Sequence, residues 1–388
     1  MVNRTPDDVQ NQIVNLVKDF VKKDIAPIAD AYDKDDIYPH ELIPKMQDMG
    51  LFGINIPQEF GGLGLDFTTF AKIFEELSKG WMSVSGIIGT HHILGHIVAQ
   101  YGTEEQKERI LPKMATGEIR GGLALTEPEA GSDAQNISTV AIKDGEEYVV
   151  NGRKMFISNG ANGNAFALMA KTDPLSKPAH RGISCFILET PTPGFQVGQH
   201  IDKLGYRGLD TCELLFDDCR ISKTNLVGGI EGNGFRQVMD GLETGRLNVA
   251  ARAVGVAQAA LDAALKYSQT RKTFGKPISQ HQAIQLKLAD MAAKVHASRL
   301  MVYDAAGKKD NGQRNDLEAA MAKLFASEVC GEVAMEAMRI HGGYGYLKES
   351  AVERYYRDAP LMIIGEGTNE VLRLVIAKQL LRLPEYQL

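Results

Sequence analysis

The sequence predicts an α+β chain in three parts: an N-terminal α-helical domain over residues 1–120, a central β-barrel or β-sandwich domain over 121–230, and a C-terminal four-helix bundle over 231–388. Three observations predict it. Near the start, Val9, Ile13, Leu16, Val17 and Phe20 recur at three- and four-residue spacing and so share one helix face. From Gly121 the texture changes to short apolar runs such as EEYVVNG, AFALMA, ISCFILE and CELLFD, alternating with turn residues as strands require. Beyond Gly234, four long Ala-, Leu- and Met-rich stretches are broken near Gly275-Lys276-Pro277, Asn311-Gly312 and Gly342-Gly343, which suggests antiparallel helices.

Local signals place the elements in order. Thr5 can cap the first helix with Pro6 at its first helical position, where a missing N–H costs nothing. Thr103 and Gln106 form a capping box that opens another helix. The dipeptides Asp144-Gly145, Asn151-Gly152 and Asn162-Gly163 are expected as turns between strands. Near the end, Thr368 can cap a helix that NEVLRLVIAKQLL begins.

Composition narrows the function classes. The 388 residues are 44% hydrophobic and 24% charged with a formal net charge of -6, ordinary for a globular protein and without the basic face that nucleic acid or an anionic membrane would want. No window of eighteen uncharged apolar residues occurs. Cys185, Cys212, Cys219 and Cys330 lack CxxC pairing, so a reducing, cytoplasmic setting is expected, or the mitochondrial matrix where a transit peptide has been removed. No GxGxxG, GxxxxGK[ST] or GxSxG motif is present, which argues against Rossmann, P-loop and serine-hydrolase chemistry. His92 and His96 would share a helix face, but no HExxH frame or third ligand accompanies them, so packing or pocket lining is the reading and no metal is expected.

One carboxylate stands out in position. Glu366 lies between Gly365 and Gly367, behind an apolar run and ahead of a helix start, where glycines let the backbone approach another molecule closely. Taken alone it reads as a solvated or helix-capping charge. Its company changes that reading.

The motifs LTEPEAGSD at 125–133, KMFISNG at 154–160, RKTFGKPISQHQAI at 271–284, RIHGGYGY at 339–346 and GEGTNEVLR at 365–373 together resemble the acyl-CoA dehydrogenase family. The resemblance extends to IPQEFGGLG at 56–64 and YGTEEQKERILP at 101–112, and so runs nearly end to end. It implies that FAD removes two hydrogens from an acyl-CoA thioester to leave the 2,3-enoyl-CoA, with Glu366 taking the α proton. It also implies a homotetramer built as a dimer of dimers, with electron-transferring flavoprotein as the electron acceptor. An oxidase that uses oxygen, or a non-catalytic flavin- or DNA-associated relative, is the alternative reading.

Carried over residue by residue, the resemblance assigns FAD contacts to Leu123, Leu125, Thr126, Gly131 and Ser132, and to Phe156, Ile157 and Ser158. Phe156 and Ser158 depart from the commoner Trp and Thr, though an aromatic face and a hydroxyl remain. Arg271, Thr273, Phe274, Ile278, His281 and Gln282 match a segment that reaches a neighbouring subunit's FAD, and Arg339, Ile340, His341, Gly342 and Gly343 match a second. Thr368 and Glu370 fit adjacent cofactor contacts. For the substrate, the resemblance points to Ser132, Glu243, Arg246 and Gly367, with a helix-surface ion pair between Glu243 and Arg246 as the rival reading. Gly365 stands where straight-chain relatives commonly have Tyr, and Thr90 falls near the pocket floor, so a branched, cyclic or short acyl group is conceivable.

Overall fold

The computed structural model describes residues 5–382. Its first part is helical: α1 (Asp7–Phe20) continues through one π-turn into α2 (Ala26–Asp35), followed by α3 (Ile43–Asp48), α4 (Phe67–Gly80), α5 (Met82–Tyr101) and α6 (Glu104–Thr116). The expected capping box is present, with Thr103 Oγ1 accepting from Gln106 N at 3.2 Å and Gln106 Oε1 accepting from Thr103 N at 3.0 Å. The start of α1 differs from expectation. Pro6 is the cap and Thr5 is not: the Thr5 hydroxyl accepts from Asp66 N at 3.3 Å, and Thr5 N–H donates to the Asp66 carboxylate at 2.9 Å. That carboxylate also caps α4 through Thr69 N, so a residue distant in sequence takes the hydroxyl that a local cap would use.

The middle part is one curled seven-stranded sheet. Its strands are β1 (Gly121–Ala124), β2 (Val140–Asp144), β3 (Glu147–Ser158), β4 (Ala165–Lys171), β5 (Ile183–Glu189), β6 (Phe195–His200) and β7 (Thr211–Ser222). They run in the order β1-β4-β2-β3-β7-β6, with β5 paired to β4. Strands β4 and β5 are buried on both faces, which is why they read as unbroken apolar runs. Asp144-Gly145 does join β2 to β3 as a hairpin, and Asn162-Gly163 lies in the loop before β4. Asn151-Gly152 does not turn. It sits inside β3 where the register with β7 slips, and a side chain at Gly152 would come within 2.6 Å of Thr139 Oγ1, so the glycine serves a bulge.

The last part contains α7 (Gly234–Thr270), a small hairpin of β8 (Lys272–Thr273) and β9 (Lys276–Pro277), α8 (Gln282–Asp310), α9 (Asp316–His341), α10 (Ala351–Ile364) and α11 (Asn369–Leu380). The 37-residue α7 is the spine, packing against α4 and α5 on one side and against α8, α9 and α10 on others. One apolar core joins α4, α5, α7 and α9; a second joins α5 and α6 to strands β4 and β5. Helices α5 and α7 belong to both cores, so what lies between them is held from both sides.

Candidate active site

Glu366 sits in the four-residue link between α10 and α11. Its φ of 57° is left-handed, a region that costs a non-glycine residue about 1–3 kcal/mol and persists only where surroundings enforce it. Two contacts enforce it. Thr368 caps α11 by accepting from Val371 N at 3.3 Å. Lys323 of α9 reaches the link from beneath, donating to Ile363 O at 3.2 Å, Gly367 O at 2.8 Å and Asn369 Oδ1 at 3.0 Å.

The carboxylate turns inward against α7. A side chain at Gly245 would lie 2.5 Å from Glu366 Oε2, so only glycine leaves room there. The residue as a whole is partly buried, but Oε2 is sealed from solvent and has no hydrogen-bond partner among the described residues. Burial pushes its pKa up, while Arg252, Arg246 and Lys323 pull the other way without cancelling the rise. Among the described residues its backbone N–H is also unpaired. One residue thus presents both an unpaired acceptor and an unpaired donor.

The two β motifs come together. Met155 N donates to Thr126 O at 2.8 Å, and Lys154 Nζ donates to Leu125 O at 3.0 Å, which zips the 123–132 segment to β3. A bulge between Lys154 and Ile157 gives Phe156 a φ of 61° and leaves it 60% exposed at the sheet surface. Ile157 and Leu125 are buried, so their side chains pack in the core and only their backbones are available for contact. Gly131 and Ser132 are exposed on an open turn where an added side chain would meet nothing.

The C-terminal motifs form a second assembly. Arg271 and Thr273 line one side of a cleft of about 540 Å³, with Ile340, Gly342 and Gly343 on the other. Thr273 Oγ1 and His281 Nε2 are 3.0 Å apart, and His281 caps α8 just before Gln282. Ile278 is buried, whereas Phe274 projects from the hairpin tip at 95% exposure. Arg339 pairs with Glu336 one turn back on α9. Glu370 is exposed in the first turn of α11.

Near α7's start, Glu243 and Arg246 form no ion pair among the described residues, which removes the rival reading of a surface pair. Burial raises the Glu243 carboxyl, and Arg246 Nε is buried without a partner. Thr90 accepts from Asn159 Nδ2 at 3.2 Å, tying α5 to the end of β3. His91 and His92 are core side chains bonded to the carbonyls of Phe52 and Leu51, and His96 pairs with Asp240 at 2.9 Å.

Sequence reasoning missed Lys323, Arg252 and the buried pair Lys154–Glu127. A signal was available for the first two, because each is a lone charge in an Ala-rich helical run, AAMAKLF or NVAARAVG. Lys154 and Glu127 gave none, since each looks like an ordinary surface charge beside a turn.

Profiles of the acyl-CoA dehydrogenase N-terminal, middle and C-terminal domains match residues 7–118, 122–219 and 232–381. The chain belongs to the acyl-CoA dehydrogenase family. It is 42% identical to the mitochondrial short-chain specific acyl-CoA dehydrogenase of Rattus norvegicus, over 94% of this chain and 88% of the relative. Butyryl-CoA dehydrogenase from Megasphaera elsdenii superposes with a TM-score of 0.94 at 40% identity, covering 98% of this chain and all of the other. A chain solved in work on the electron transferring flavoprotein of Acidaminococcus fermentans superposes at 0.93 and 42% identity, with 98% and 100% covered. Like other acyl-CoA dehydrogenases, the protein is an FAD-dependent oxidoreductase, and an oxidase is not favoured. The residues present fit that cofactor: an exposed aromatic on a bulged strand, a hydroxyl two residues on, and an open glycine turn at 131 are what a planar ring and a pyrophosphate need. No helix among the described residues is long and apolar enough to cross a membrane.

Proposed function

We propose that Glu366 is the general base of a dehydrogenation acting on a short acyl-CoA thioester. The observation that carries this reading is the sealed, unpartnered Oε2 beside an unpaired backbone N–H. The N–H would hold the thioester carbonyl while the carboxylate takes the α proton, which only a polarised carbonyl makes acidic enough to remove. When bound, FAD supplies the hydride acceptor. Phe156, Thr126 and Ser158 would flank its ring, and Gly131 and Ser132 its pyrophosphate. Arg246 and Glu243 would line the approach of the CoA arm, with Gly367 beside the thioester.

A short acyl group is supported by how tightly α5 packs against α7 and against the loop before β7. A side chain at Gly86 would come within 1.9 Å of the Tyr206 hydroxyl, and one at Gly89 within 3.2 Å of Asn248. The similarity to short-chain specific and butyryl-CoA dehydrogenases agrees with that size. The cleft at 271–282 and 339–343, with Phe274 exposed at its rim, supports a second copy of this chain completing each FAD site, and hence a tetramer of two dimers. Electron-transferring flavoprotein is the acceptor the reading expects.

Anaerobic addition of butyryl-CoA to the yellow holoprotein tests the assignment. Bleaching of the flavin absorbance is expected in the wild type and not in Glu366→Gln; equal bleaching in both overturns it.

A further inference from the structure

Three cations surround Glu366, and two have tasks already: Lys323 pins the link that carries the base, and Arg246 is the one proposed above to line the approach of the CoA arm. Arg252 has none. It is 5% exposed, forms no ion pair among the described residues, and leaves its Nε buried without a partner. A buried guanidinium without an anion in contact is costly unless a nearby charge compensates it.

Its placement supplies that charge. Arg252 lies seven residues beyond Gly245, two turns along the face of α7 against which Glu366 Oε2 rests. Helical side chains lean toward the helix N-terminus, so the Arg252 stem leans toward Gly245 across the roughly 10 Å between them. Nη1 donates to the Tyr206 hydroxyl at 2.8 Å, and the guanidinium carbon lies 5.4 Å from the centre of that ring. Tyr206 cannot retreat. Its N–H is bonded to Asp358 Oδ1 at 2.7 Å, its φ is 59°, and its hydroxyl end abuts Gly86 of α5.

We propose that Arg252, clamped by Tyr206, is a positioning residue: the fixed counter-charge that keeps Glu366 anionic and turned toward α7 before the thioester arrives. The proposal rests on Glu366 being the base. The other charged groups around it are Arg246 on α7, with Glu243 of α7 and Asp316 of α9 acting on it, Lys323 on α9, with Glu370 of α11 and Glu328 of α9 acting on it, and Asp358 of α10 behind Tyr206, while α5 presents the apolar Ile93. Of the cations, Arg252 exerts the largest pull on the Glu366 carboxyl. Tyr206 can hold the guanidinium without neutralising it, because burial keeps the phenol protonated.

The test is the pH profile of anaerobic flavin reduction by butyryl-CoA in holoenzymes carrying Arg252→Gln, Arg252→Lys and Tyr206→Phe. Glutamine keeps a donor for Tyr206 but no charge, so the acid limb should move up by about one pH unit. Lysine keeps the charge, so its limb should stay near wild type. Phenylalanine frees the guanidinium and should move the limb by less than glutamine does. Equal acid limbs in Arg252→Gln and wild type overturn the proposal, as does an Arg252→Lys limb displaced as far as Arg252→Gln. Should Arg252→Gln fail to retain FAD, the Arg252→Lys and Tyr206→Phe limbs decide: one near wild type and one modestly raised uphold the proposal, and any other pattern overturns it. Failure of the base assignment itself is distinguishable, because Glu366→Gln would then bleach normally.

Discussion

Glu127 and Glu366 are both buried carboxylates, one in the β domain and one at the edge of the bundle, and they are treated oppositely. Glu127 accepts from Lys154 Nζ at 2.7 Å, Ser138 Oγ at 2.6 Å and Thr139 N at 3.0 Å. Burial alone would raise its pKa, but the Lys154 charge and these bonds outweigh that and hold it at about 2. Around Glu366 the cations keep their distance, one oxygen has no partner, and burial wins. Satisfying every lone pair makes a carboxylate a fastener between the flavin motifs. Withholding partners keeps it reactive.

The sharpest way to break this contrast is to remove each charge in turn. Glu366→Gln should slow flavin reduction by about 10²–10⁴-fold in stopped-flow while leaving the thermal midpoint unchanged or higher, since no bond is lost. Glu127→Gln should do the reverse to stability, lowering it by about 3–5 kcal/mol in denaturant titration because Lys154, at 0% exposure, keeps a buried charge without a counter-ion. A combined Glu127→Gln and Lys154→Met change should recover part of that loss.

Gly245→Ala probes the space rather than the charge. Its methyl would overlap Glu366 Oε2, so the rate should fall roughly ten- to hundredfold as the base is displaced, even as the helix gains up to about 1 kcal/mol from losing a mid-helix glycine. Rate and stability moving in opposite directions would mark it. The smallest effect is in pH. Because the Glu366 carboxyl is raised, reduction should be lost as pH falls, at a pH higher than the ordinary carboxylate value of ~4.3, as protons neutralise the base. The Glu127 contribution has the depressed sign: it is complete above that unfolded value and is lost as pH falls toward about 2. Between those ranges, absorbance bleaching should fail while circular dichroism still reports a folded protein.

Much of this was legible beforehand. The first helix, the capping box at Thr103 and the position of Glu366 between glycines each follow from local rules, and the structure keeps them, although Val9 and Leu16 of the expected apolar face are exposed while Gln10 and Val14 are buried. The misreadings share a cause. Thr5 lost its cap to Asp66, and Asn151-Gly152 became a bulge under Thr139, because partners far along the chain decided each case. Ile157 and Ile278 stood inside motif segments, yet their side chains face the core, which a motif match cannot distinguish from a ligand contact.

Periodicity and turn chemistry act over a few residues, so the order of helical and strand regions, and the glycine-flanked link that carries Glu366, could be read from the chain alone. What surrounds that carboxylate could not. Arg252, Lys323 and Tyr206 meet it from elements separated by tens to more than a hundred residues. Desolvation and Coulomb interactions depend on distance through space, and only the packing of α7, α9 and the loop before β7 around the link determines those distances.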